Sequence, residues 1–471
     1  MKVLLAIPPD THNLEIYRIL GVNAPPLGLA YIAAVLERAG YCVRIVDSPT
    51  LKLVQERFID IVREFKPDIV GFSLITPLAP KGYEIARKLK ELFPETILVA
   101  GGQHPTFMYN EVLSHGFDVV VRFEGEYTTL ELVKTIERYG HSVEVLKSVK
   151  SIAFKDREGN IVVTDNRRPI QNLDELPFPA RHLLPMDRYT VLGKNIPVAH
   201  IMASRGCPYG CIFCSTSYFW GRRIRIRSAA NVADEIEHVV NKYKARYIVF
   251  TDDELTWSKK WISDLLSELR KRGLDIQFTC GARVDQLQDF DLLKKLVDSG
   301  CVGIFVGVES ASQNTLNLIG KRITVEQIVR FFENVKRLEQ QYKESIDAAG
   351  SFIIGFPWET LDDMRQTIDF AVKLDPAYAQ FTIATPYPGT PLYDYAVKHN
   401  LIIDWNWEHY TTLKAVMKGL HVDAKIMEKL LREAYKKFYV RAKYLLREAI
   451  KGRVFLVLPT IIRSIISWLF E

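Results

Sequence analysis

Short apolar segments without apolar–polar alternation dominate the first 140 residues. Strands of this composition are buried on both faces, which is typical of parallel sheets covered by helices. Five such segments are predicted as strands: Val3–Ile7, Val43–Asp47, Ile69–Ser73, Ile97–Ala100 and Asp118–Arg122. Predicted helices lie between them, at Leu27–Ala39, Leu51–Phe65, Ala79–Leu92, Tyr109–Ser114 and Tyr127–Tyr139. Residues 1–140 are therefore predicted to form an α/β domain with a doubly wound parallel sheet.

Ligands bind such a sheet at the carboxyl ends of its strands. The loops predicted there contain Gly101-Gly102-Gln103-His104-Pro105 and Glu124-Gly125-Glu126. No G-x-G-x-x-G sequence follows the first strand, which argues against a dinucleotide site.

Three cysteines with spacings of four and three residues occupy one loop, Gly206-Cys207-Pro208-Tyr209-Gly210-Cys211-Ile212-Phe213-Cys214. Disulfides use pairs of cysteines. A structural zinc site needs four protein ligands, and no fourth Cys or His follows at a short interval. Iron–sulfur clusters are normally held by four thiolates, so three would leave one iron open to another ligand. A zinc knuckle or ordinary loop cysteines remain the alternative interpretation.

The C-x3-C-x2-C spacing, with Phe213 directly before the last cysteine, resembles that of the radical S-adenosylmethionine (radical SAM) enzymes. The resemblance implies a [4Fe-4S] cluster on the catalytic residues Cys207, Cys211 and Cys214. In that family the open iron binds the amino and carboxylate groups of S-adenosylmethionine. Electron transfer then cleaves the sulfonium and yields a 5′-deoxyadenosyl radical. An electron donor such as ferredoxin or flavodoxin is therefore an expected partner.

Residues 198–400 repeat the strand–helix pattern, with predicted strands at Ala199–Ala203, Tyr247–Thr251, Ile276–Cys280, Gly303–Val308, Ala349–Ile354 and Phe381–Ala384. These units match the partial (β/α)6, TIM-type barrel that the resemblance implies. Chemistry in parallel barrels sits at the carboxyl ends of the strands. The candidate cofactor-binding residues at these ends are Asp252, Asp253, Arg283, Glu309 and Ser310.

These strand-end side chains suit the polar groups of S-adenosylmethionine. Asp252 or Asp253 is expected to accept a charge-assisted hydrogen bond from the amine. Arg283 is expected to pair with the carboxylate in bidentate fashion, Glu309 to bond the ribose hydroxyls, and Phe213 to pack near the adenine. The alternative for the three acids is helix N-capping or solvation in loops.

The combination of an N-terminal α/β domain with a radical SAM motif narrows the resemblance. Together with Pro25-Pro26-Leu27-Gly28-Leu29-Ala30-Tyr31, it resembles the radical SAM class with a Rossmann-like, cobalamin-binding domain. The implied cofactor is cobalamin, and the implied contacts are Gly101, Gly102 and His104. Some cobalamin proteins present a cobalt ligand from a D-x-H-x-x-G loop. Here Glu15 replaces the glycine after Asp10-Thr11-His12, so we expect His12 to be a solvated loop residue.

Residues 141–197 are predicted to be a connector, with a hairpin at Ser151–Phe154 and Ile161–Thr164 before a proline-rich linker. Beyond the cysteine loop, four arginines alternate with apolar residues in Gly221-Arg222-Arg223-Ile224-Arg225-Ile226-Arg227. This run is interpreted either as an edge strand with a solvated face or as an anchor for an anionic group. The three cysteines outside the motif are expected to be small packed residues: Cys42, Cys280 and Cys301.

Residues 401–471 are predicted to form a helical C-terminal region. Ala424–Lys451 is predicted to be one long basic helix rich in aromatic residues. The apolar stretch Val454–Phe470 follows, which is shorter than the roughly 20 apolar residues of a spanning helix. Its composition favours an amphipathic helix on an anionic membrane surface. The alternative is a helix docked on the barrel.

The composition limits compartment and partners. Six cysteines, three of them in one motif, argue for a reducing compartment. The start Met1–Pro9 is too short for the apolar core of a signal peptide. We therefore expect a cytoplasmic protein. If the C-terminal stretch acts as an anchor, the protein is expected to be peripheral on the inner face of the cell membrane. The net charge of +6 is modest, and no nucleic-acid partner is expected.

The resemblance and the apolar C-terminal stretch together predict hydrogen abstraction from an unactivated C–H bond. The predicted substrate is a membrane lipid or another apolar small molecule, because relatives act in archaeal tetraether and bacterial hopanoid biosynthesis. The outcome would be carbon–carbon bond formation, cyclisation or methylation. The alternatives are a cobalamin-dependent radical methyltransferase acting on a non-lipid natural product, and a non-catalytic corrinoid or iron–sulfur sensor. RNA methylthiotransferases carry a further cysteine triplet, whereas here only Cys42 precedes Cys207.

Overall fold

A computed structural model describes residues 1–9, 23–191, 196–342 and 346–452 of the chain. The stretch that contains His12 and the apolar stretch Val454–Phe470 lie outside the described residues.

A seven-stranded sheet forms the N-terminal part of the described chain. Its strands are β1 Lys2–Ile7, β2 Cys42–Asp47, β3 Ile69–Ser73, β4 Ile97–Gly101, β5 Val119–Val121, β6 Ile152–Lys155 and β7 Ile161–Val163. The first five pair in parallel in the order β2-β1-β3-β4-β5. This arrangement confirms the predicted doubly wound sheet, with each strand within two residues of its predicted bounds.

Helices cover both faces of this sheet, and the longer ones carry an apolar stripe toward it. They are α1 Leu27–Arg38, α2 Ser48–Leu51, α3 Gln55–Phe65, α4 Ala79–Leu92, α5 Gln103–Phe107, α6 Tyr109–Ser114, α7 Gly125–Tyr139 and α8 Val143–Leu146. Buried residues of α1 and α7 pack on one face, and those of α3, α4 and α6 pack on the other.

The hairpin predicted in the connector joins the N-terminal sheet. Strand β6 pairs antiparallel with β5, and β7 pairs with β6. The sheet therefore continues beyond residue 140. Because β6 covers what would otherwise be the free edge of β5, the unpaired backbone groups move out to the short strand β7.

A second sheet within the described residues consists of the six parallel strands β8 Val198–Ile201, β11 Tyr247–Phe250, β12 Gln277–Ala282, β13 Cys301–Glu309, β14 Asp347–Ile354 and β15 Tyr378–Ile383. Their order in the sheet is β15-β14-β13-β12-β11-β8. All six predicted strands are confirmed. Between β8 and β11, a small antiparallel pair is formed by β9 Ser204–Arg205 and β10 Arg225–Ile226.

The helices that follow the first barrel strand pack around this sheet. Their bounds are α9 Thr216–Phe219, α10 Ala229–Tyr243, α11 Lys259–Lys271, α12 Val284–Leu287, α13 Phe290–Asp298, α14 Gln313–Leu318, α15 Val325–Tyr342, α16 Leu361–Leu374, α17 Pro391–Lys398, α18 Ala424–Tyr439 and α19 Ala442–Ile450.

The basic C-terminal segment is docked on the barrel. It was predicted to be one continuous helix, but it forms two, α18 and α19. The Tyr435 hydroxyl bonds the backbone of Phe381, and the Tyr439 hydroxyl bonds that of Ala379. These phenols satisfy backbone groups on the open edge of β15. No helix in the described ranges is long and apolar enough to cross a membrane.

Basic residues of this C-terminal region are also engaged with the barrel. Arg441 and Arg447 both pair with Asp375, which follows α16. Their charges are therefore directed at a carboxylate of the same chain. Of the cysteines expected to be packed, Cys280 and Cys301 are buried, whereas Cys42 is exposed because it begins β2 at the rim of the sheet.

Candidate active site

The cysteine loop runs from β9 to α9 and is held tightly against the segment before β10. Gly206 has φ 93°, and a Cβ there would collide with the carbonyl oxygen of Arg223. Gly210 has φ 66°, and a Cβ there would lie 3.0 Å from the Arg222 guanidinium. Glycine adopts positive φ without steric cost, so these two positions give the loop its shape.

The three motif thiols differ in exposure and in their charged neighbours. Cys211 is buried, and Cys207 and Cys214 are partly buried. Burial raises the pKa of all three thiols, that of Cys214 to about 11. The nearby Lys321 ammonium offsets part of the upward shift in the pKa of Cys211. A cationic neighbour favours the thiolate form that metals bind.

Three thiolate donors in one loop suit an iron–sulfur cluster. Among the described residues, no three His, Cys, Asp or Glu side chains converge as the ligands of one metal ion do. A [4Fe-4S] cluster does not require such convergence, because each thiolate binds a different iron. Cys207, Cys211 and Cys214 would hold three irons and leave the fourth to S-adenosylmethionine.

The two aspartates after β11 have different surroundings. Asp252 accepts hydrogen bonds from the Ala203 N–H at 3.1 Å and the Ser204 hydroxyl at 2.5 Å. It thereby ties β11 to the segment that enters the cysteine loop, and burial raises its pKa to about 6. Asp253 accepts from the Thr216 hydroxyl at 3.1 Å and adds negative charge near Cys214. Of the pair, Asp253 is better placed toward the cysteine loop.

Glu254, which sequence reasoning did not single out, is the third acid of this run. One carboxylate oxygen accepts from Thr256 at 2.8 Å. The other is buried without a hydrogen-bond donor among the described residues and lies 3.8 Å from Arg283 Nε. Burial raises the pKa of Glu254 to about 7. Its position in the acidic run that follows a barrel strand was the available signal.

Arg283 connects the third barrel strand to the cysteine loop. Its guanidinium stacks on the Tyr209 ring at 3.5 Å from the centroid. It also bonds Asp285 at 3.0 Å and the backbone carbonyl of Lys321 at 2.9 Å. Because a planar guanidinium makes several fixed bonds at once, Arg283 orients this side of the barrel mouth. Its pairing with a ligand carboxylate stays a prediction.

Glu309 ends β13 and forms a buried ion pair that the sequence did not indicate. Lys321 Nζ lies 2.6 Å from Glu309 Oε1. Glu309 Oε2 is buried and has no hydrogen-bond partner in the described part of the chain. This free acceptor fits the predicted bond to a ribose hydroxyl of S-adenosylmethionine. Lys321 comes from the loop after α14, so local sequence carried no signal of the pair.

The loop after β14 supplies aromatic surface near the cysteines. The Phe356 ring lies 5.8 Å from that of Phe213 and is stacked on Trp358 at 5.6 Å. Glu359 holds this loop by accepting from the N–H groups of Gly355 and Phe356. Burial raises the pKa of Glu359 to about 8. Phe213 thus lies in an aromatic environment that suits its predicted contact with an adenine.

Ser310 and the N-terminal candidates His104 and Gly102 contact other residues of this chain. The Ser310 hydroxyl faces Thr367 of α16 at 3.3 Å. His104 is buried, with Nε2 at 2.9 Å from the Tyr83 hydroxyl, and burial lowers its pKa to about 3. Gly102 has φ 102°, and a Cβ there would lie 2.8 Å from the Leu74 carbonyl oxygen. Close backbone approach at the carboxyl ends of β3 and β4 therefore shapes this edge.

The carboxyl edge of the N-terminal sheet faces the mouth of the barrel. After β5, the Phe123 ring lies 6.3 Å from that of Phe219, which belongs to α9 directly after the cysteine loop. After β4, Phe107 packs so closely on Gly389 that a Cβ at this glycine would collide with its ring. The Trp407 indole donates to Glu111 at 2.7 Å. The two edges predicted to bind cofactors are thus in direct contact.

The arginine run is divided between surface and interior. Arg222 and Arg223 are exposed, as expected for an edge strand. Arg225 and Arg227 are buried, and both pair with carboxylates: Arg225 with Glu124, and Arg227 with Glu235. Of the two interpretations of this run, the solvated face is therefore wrong for these two residues. Their partners belong to other elements, so alternation in the sequence could not reveal the pairing.

Comparisons with known proteins agree with this geometry. The family model of the B12 binding domain matches residues 18–133, and that of the radical SAM superfamily matches residues 201–371. The chain is 38% identical over 459 residues to an uncharacterized methyltransferase of Pyrococcus horikoshii, covering 97% of this chain and 96% of that protein. It is 31% identical to the anaerobic magnesium-protoporphyrin IX monomethyl ester cyclase of Rubrivivax gelatinosus, covering 90% and 75%.

A further relative is the hopanoid C-3 methylase of Methylococcus capsulatus, 30% identical with coverage of 83% of this chain and 71% of that protein. Among solved structures, the radical S-adenosylmethionine methyltransferase TsrM of Kitasatospora setae, with cobalamin and a [4Fe-4S] cluster bound, superposes with a TM-score of 0.68. It is 19% identical and covers 84% of this chain and 78% of its own, so it shows the shared fold.

These matches confirm the predicted resemblance and the cofactors that it implies: a [4Fe-4S] cluster, S-adenosylmethionine and cobalamin. They also favour an enzyme over a non-catalytic sensor, because the relatives are methyltransferases and cyclases. The chain belongs to the radical SAM superfamily, in the class whose members carry an N-terminal B12-binding domain.

Proposed function

We propose that this chain is a cobalamin-dependent radical SAM methyltransferase that places a methyl group on an unactivated carbon of a small molecule. One observation carries the proposal: the carboxyl edge of the N-terminal sheet faces the barrel mouth, through Phe123 against Phe219 and Phe107 against Gly389. Transfer of a methyl group requires donor and acceptor within contact distance. Contact between the two edges predicted to bind the cofactors supports this proposal, because it would bring methyl donor and acceptor near one another.

The residues of the chain bind and orient the cofactors. The three motif cysteines would hold the cluster, Asp253 would accept from the ligand amine, and Glu309 Oε2 would accept from a ribose hydroxyl. When bound, the cluster supplies the electron that cleaves S-adenosylmethionine, and cobalamin supplies a centre for methyl transfer. An external one-electron donor, a ferredoxin or flavodoxin, completes the proposed system.

The finer proposal concerns the substrate, which we infer to be a membrane lipid. It is supported by the hopanoid C-3 methylase among the relatives and by the apolar composition of Val454–Phe470. Under this proposal the enzyme works at a membrane surface. The cyclase among the relatives makes ring closure the competing reaction.

Isotopic labelling separates these reactions. Reconstituted enzyme, a reductant and S-adenosylmethionine with a deuterated methyl group are incubated with lipid and aqueous extracts of a strain lacking the gene. Methylation predicts a product that carries the deuterated methyl group, together with S-adenosylhomocysteine. Cyclisation predicts a product that has lost hydrogen and carries no label. A labelled product from the aqueous extract alone would contradict the lipid proposal but support methyl transfer.

A further inference from the structure

Four buried charged side chains join the N-terminal sheet to the segment that enters the cysteine loop. Arg205 Nη1 lies 2.8 Å from Glu124 Oε1, and Arg205 Nη2 lies 2.5 Å from Glu126 Oε1. Arg225 Nη1 lies 2.8 Å from the same oxygen of Glu124. Each of the four residues is less than a tenth exposed. We call them the interdomain charge cluster.

The position of these charges in the chain connects the two cofactor sites directly. Glu124 and Glu126 follow β5, at the carboxyl edge of the B12-binding domain. Arg205 ends β9 two residues before Cys207, and its backbone pairs with that of Arg225 in β10. One salt bridge therefore spans from the loop of one cofactor site to the loop of the other.

Aromatic rings and backbone groups hold the charges in a single arrangement. The Arg205 guanidinium lies 4.8 Å from the centroid of the Trp220 ring and 5.5 Å from that of Tyr31. The second oxygen of Glu124 accepts from the Ile170 N–H at 2.7 Å. A forked guanidinium that bridges two carboxylates defines direction as well as distance. A shift of the Glu124 loop would therefore displace Arg205.

Stability alone gives a poor reason for this arrangement. The cost of removing charges from water offsets most of their attraction, so apolar residues of the same size hold an interface at least as well. Fixed geometry is what such a network supplies beyond apolar packing. A requirement for fixed geometry exists here, because the two loops must present their cofactors to one another.

We propose that the interdomain charge cluster is a positioning device, through which cobalamin binding at the N-terminal domain orders the cysteine loop. Arg205 and Glu124 act through the loops they join and are positioning residues. The inference rests on the proposed function, since it requires that the domain binds cobalamin. The inference predicts that cobalamin bound next to the Glu124 loop increases the order of the cysteine loop. We call this effect transmission.

Hydrogen–deuterium exchange of the cluster-reconstituted full chain measures this transmission. Glu124→Gln preserves shape and removes the charge that Arg205 and Arg225 share. In the wild type, hydroxocobalamin is expected to slow exchange at residues 122–126 and also at residues 204–214. In Glu124→Gln, hydroxocobalamin still slows exchange at residues 122–126, whereas the slowing at residues 204–214 falls at least threefold.

The matched control is Glu235→Gln. Glu235 is fully buried and is likewise shared by two arginines, Arg181 and Arg227, but bonds neither cofactor loop. Its loss perturbs a buried network of the same kind, so this variant should keep the transmitted protection. Where Glu124→Gln fails to fold, Arg205→Lys, which retains charge but loses the fork, is expected to reduce the transmitted protection by a similar factor.

The outcomes separate the inference from the function on which it rests. Equal protection of residues 204–214 in the Glu124 and Glu235 variants would overturn the positioning role. A wild type that binds hydroxocobalamin without protecting these residues would overturn it as well, leaving the proposed function intact. A wild type that binds no hydroxocobalamin would overturn the proposed function together with the inference.

Discussion

The Lys321→Met substitution tests the electrostatics of the barrel mouth, because it deletes one charge of a buried pair at nearly constant side-chain volume. Lys321 Nζ lies 2.6 Å from Glu309 Oε1, and the two side chains are 11% and 6% exposed. Removing one partner of a buried pair costs about 3–5 kcal/mol, since the remaining charge is left without compensation. Small residual exposure places the expected loss at the lower end, about 3 kcal/mol.

This loss corresponds to a fall of roughly 6–12 °C in the melting temperature of the barrel, at about 2–4 °C per kcal/mol for a unit of this size. The double variant Lys321→Met, Glu309→Gln removes both charges. It should recover part of the loss, because residues in contact do not contribute additively.

Thermal unfolding of metal-free protein at neutral pH, followed by circular dichroism, measures these shifts. Lys260→Met is the control. Lys260 and Asp264 form an exposed pair, 85% and 50% accessible, and such pairs contribute about 0–1 kcal/mol. The control is expected to melt roughly 0–4 °C below the wild type by the same scaling. A Lys321→Met protein that melts no further below the wild type than this control would refute the reasoning. The reasoning would also be refuted if the stability loss of the double variant equalled the sum of the losses of Lys321→Met and Glu309→Gln alone.

Four further outcomes are expected. With the cluster reconstituted, Lys321→Met should lower its reduction potential in an EPR-monitored titration, because a positive charge near a cluster thiolate favours the reduced state; an unchanged potential would contradict this. Replacing the three motif cysteines with alanine should abolish binding of about four irons per chain and cleavage of S-adenosylmethionine, and cleavage at the normal rate would exclude the assignment. Gly102→Ala should weaken hydroxocobalamin binding in a spectral titration at least tenfold, whereas Gly40→Ala, with positive φ but open space around it, should not. Burial raises the pKa of Glu359 from 4.5 to about 8. As pH rises, the unfolded chain therefore loses the Glu359 proton at a lower pH than the folded chain does, and the free energy of unfolding should fall between these two values. Glu359→Gln should flatten that fall in urea titrations, and an identical pH profile would count against the assignment.

Local sequence determined the architecture and carried the prediction of the cluster ligands. Strands that are buried on both faces are apolar at nearly every position. This pattern lies within the segment itself, so the sequence alone locates such strands. The predicted β3, Ile69–Ser73, coincides with the observed one for this reason. The cysteine spacing is likewise local, since Cys207, Cys211 and Cys214 lie in one loop.

Only the tertiary structure decided which polar groups are engaged with one another. Asp252 was a candidate ligand contact by its place after a strand, yet it bonds Ala203, 49 positions away. Lys321 reaches Glu309 only because α14 returns its following loop to the barrel mouth. Arg205 and Glu124 are 81 positions apart and meet through the packing of two domains. Such contacts depend on strand order and register, which bring distant segments together and leave no mark on the sequence around either residue.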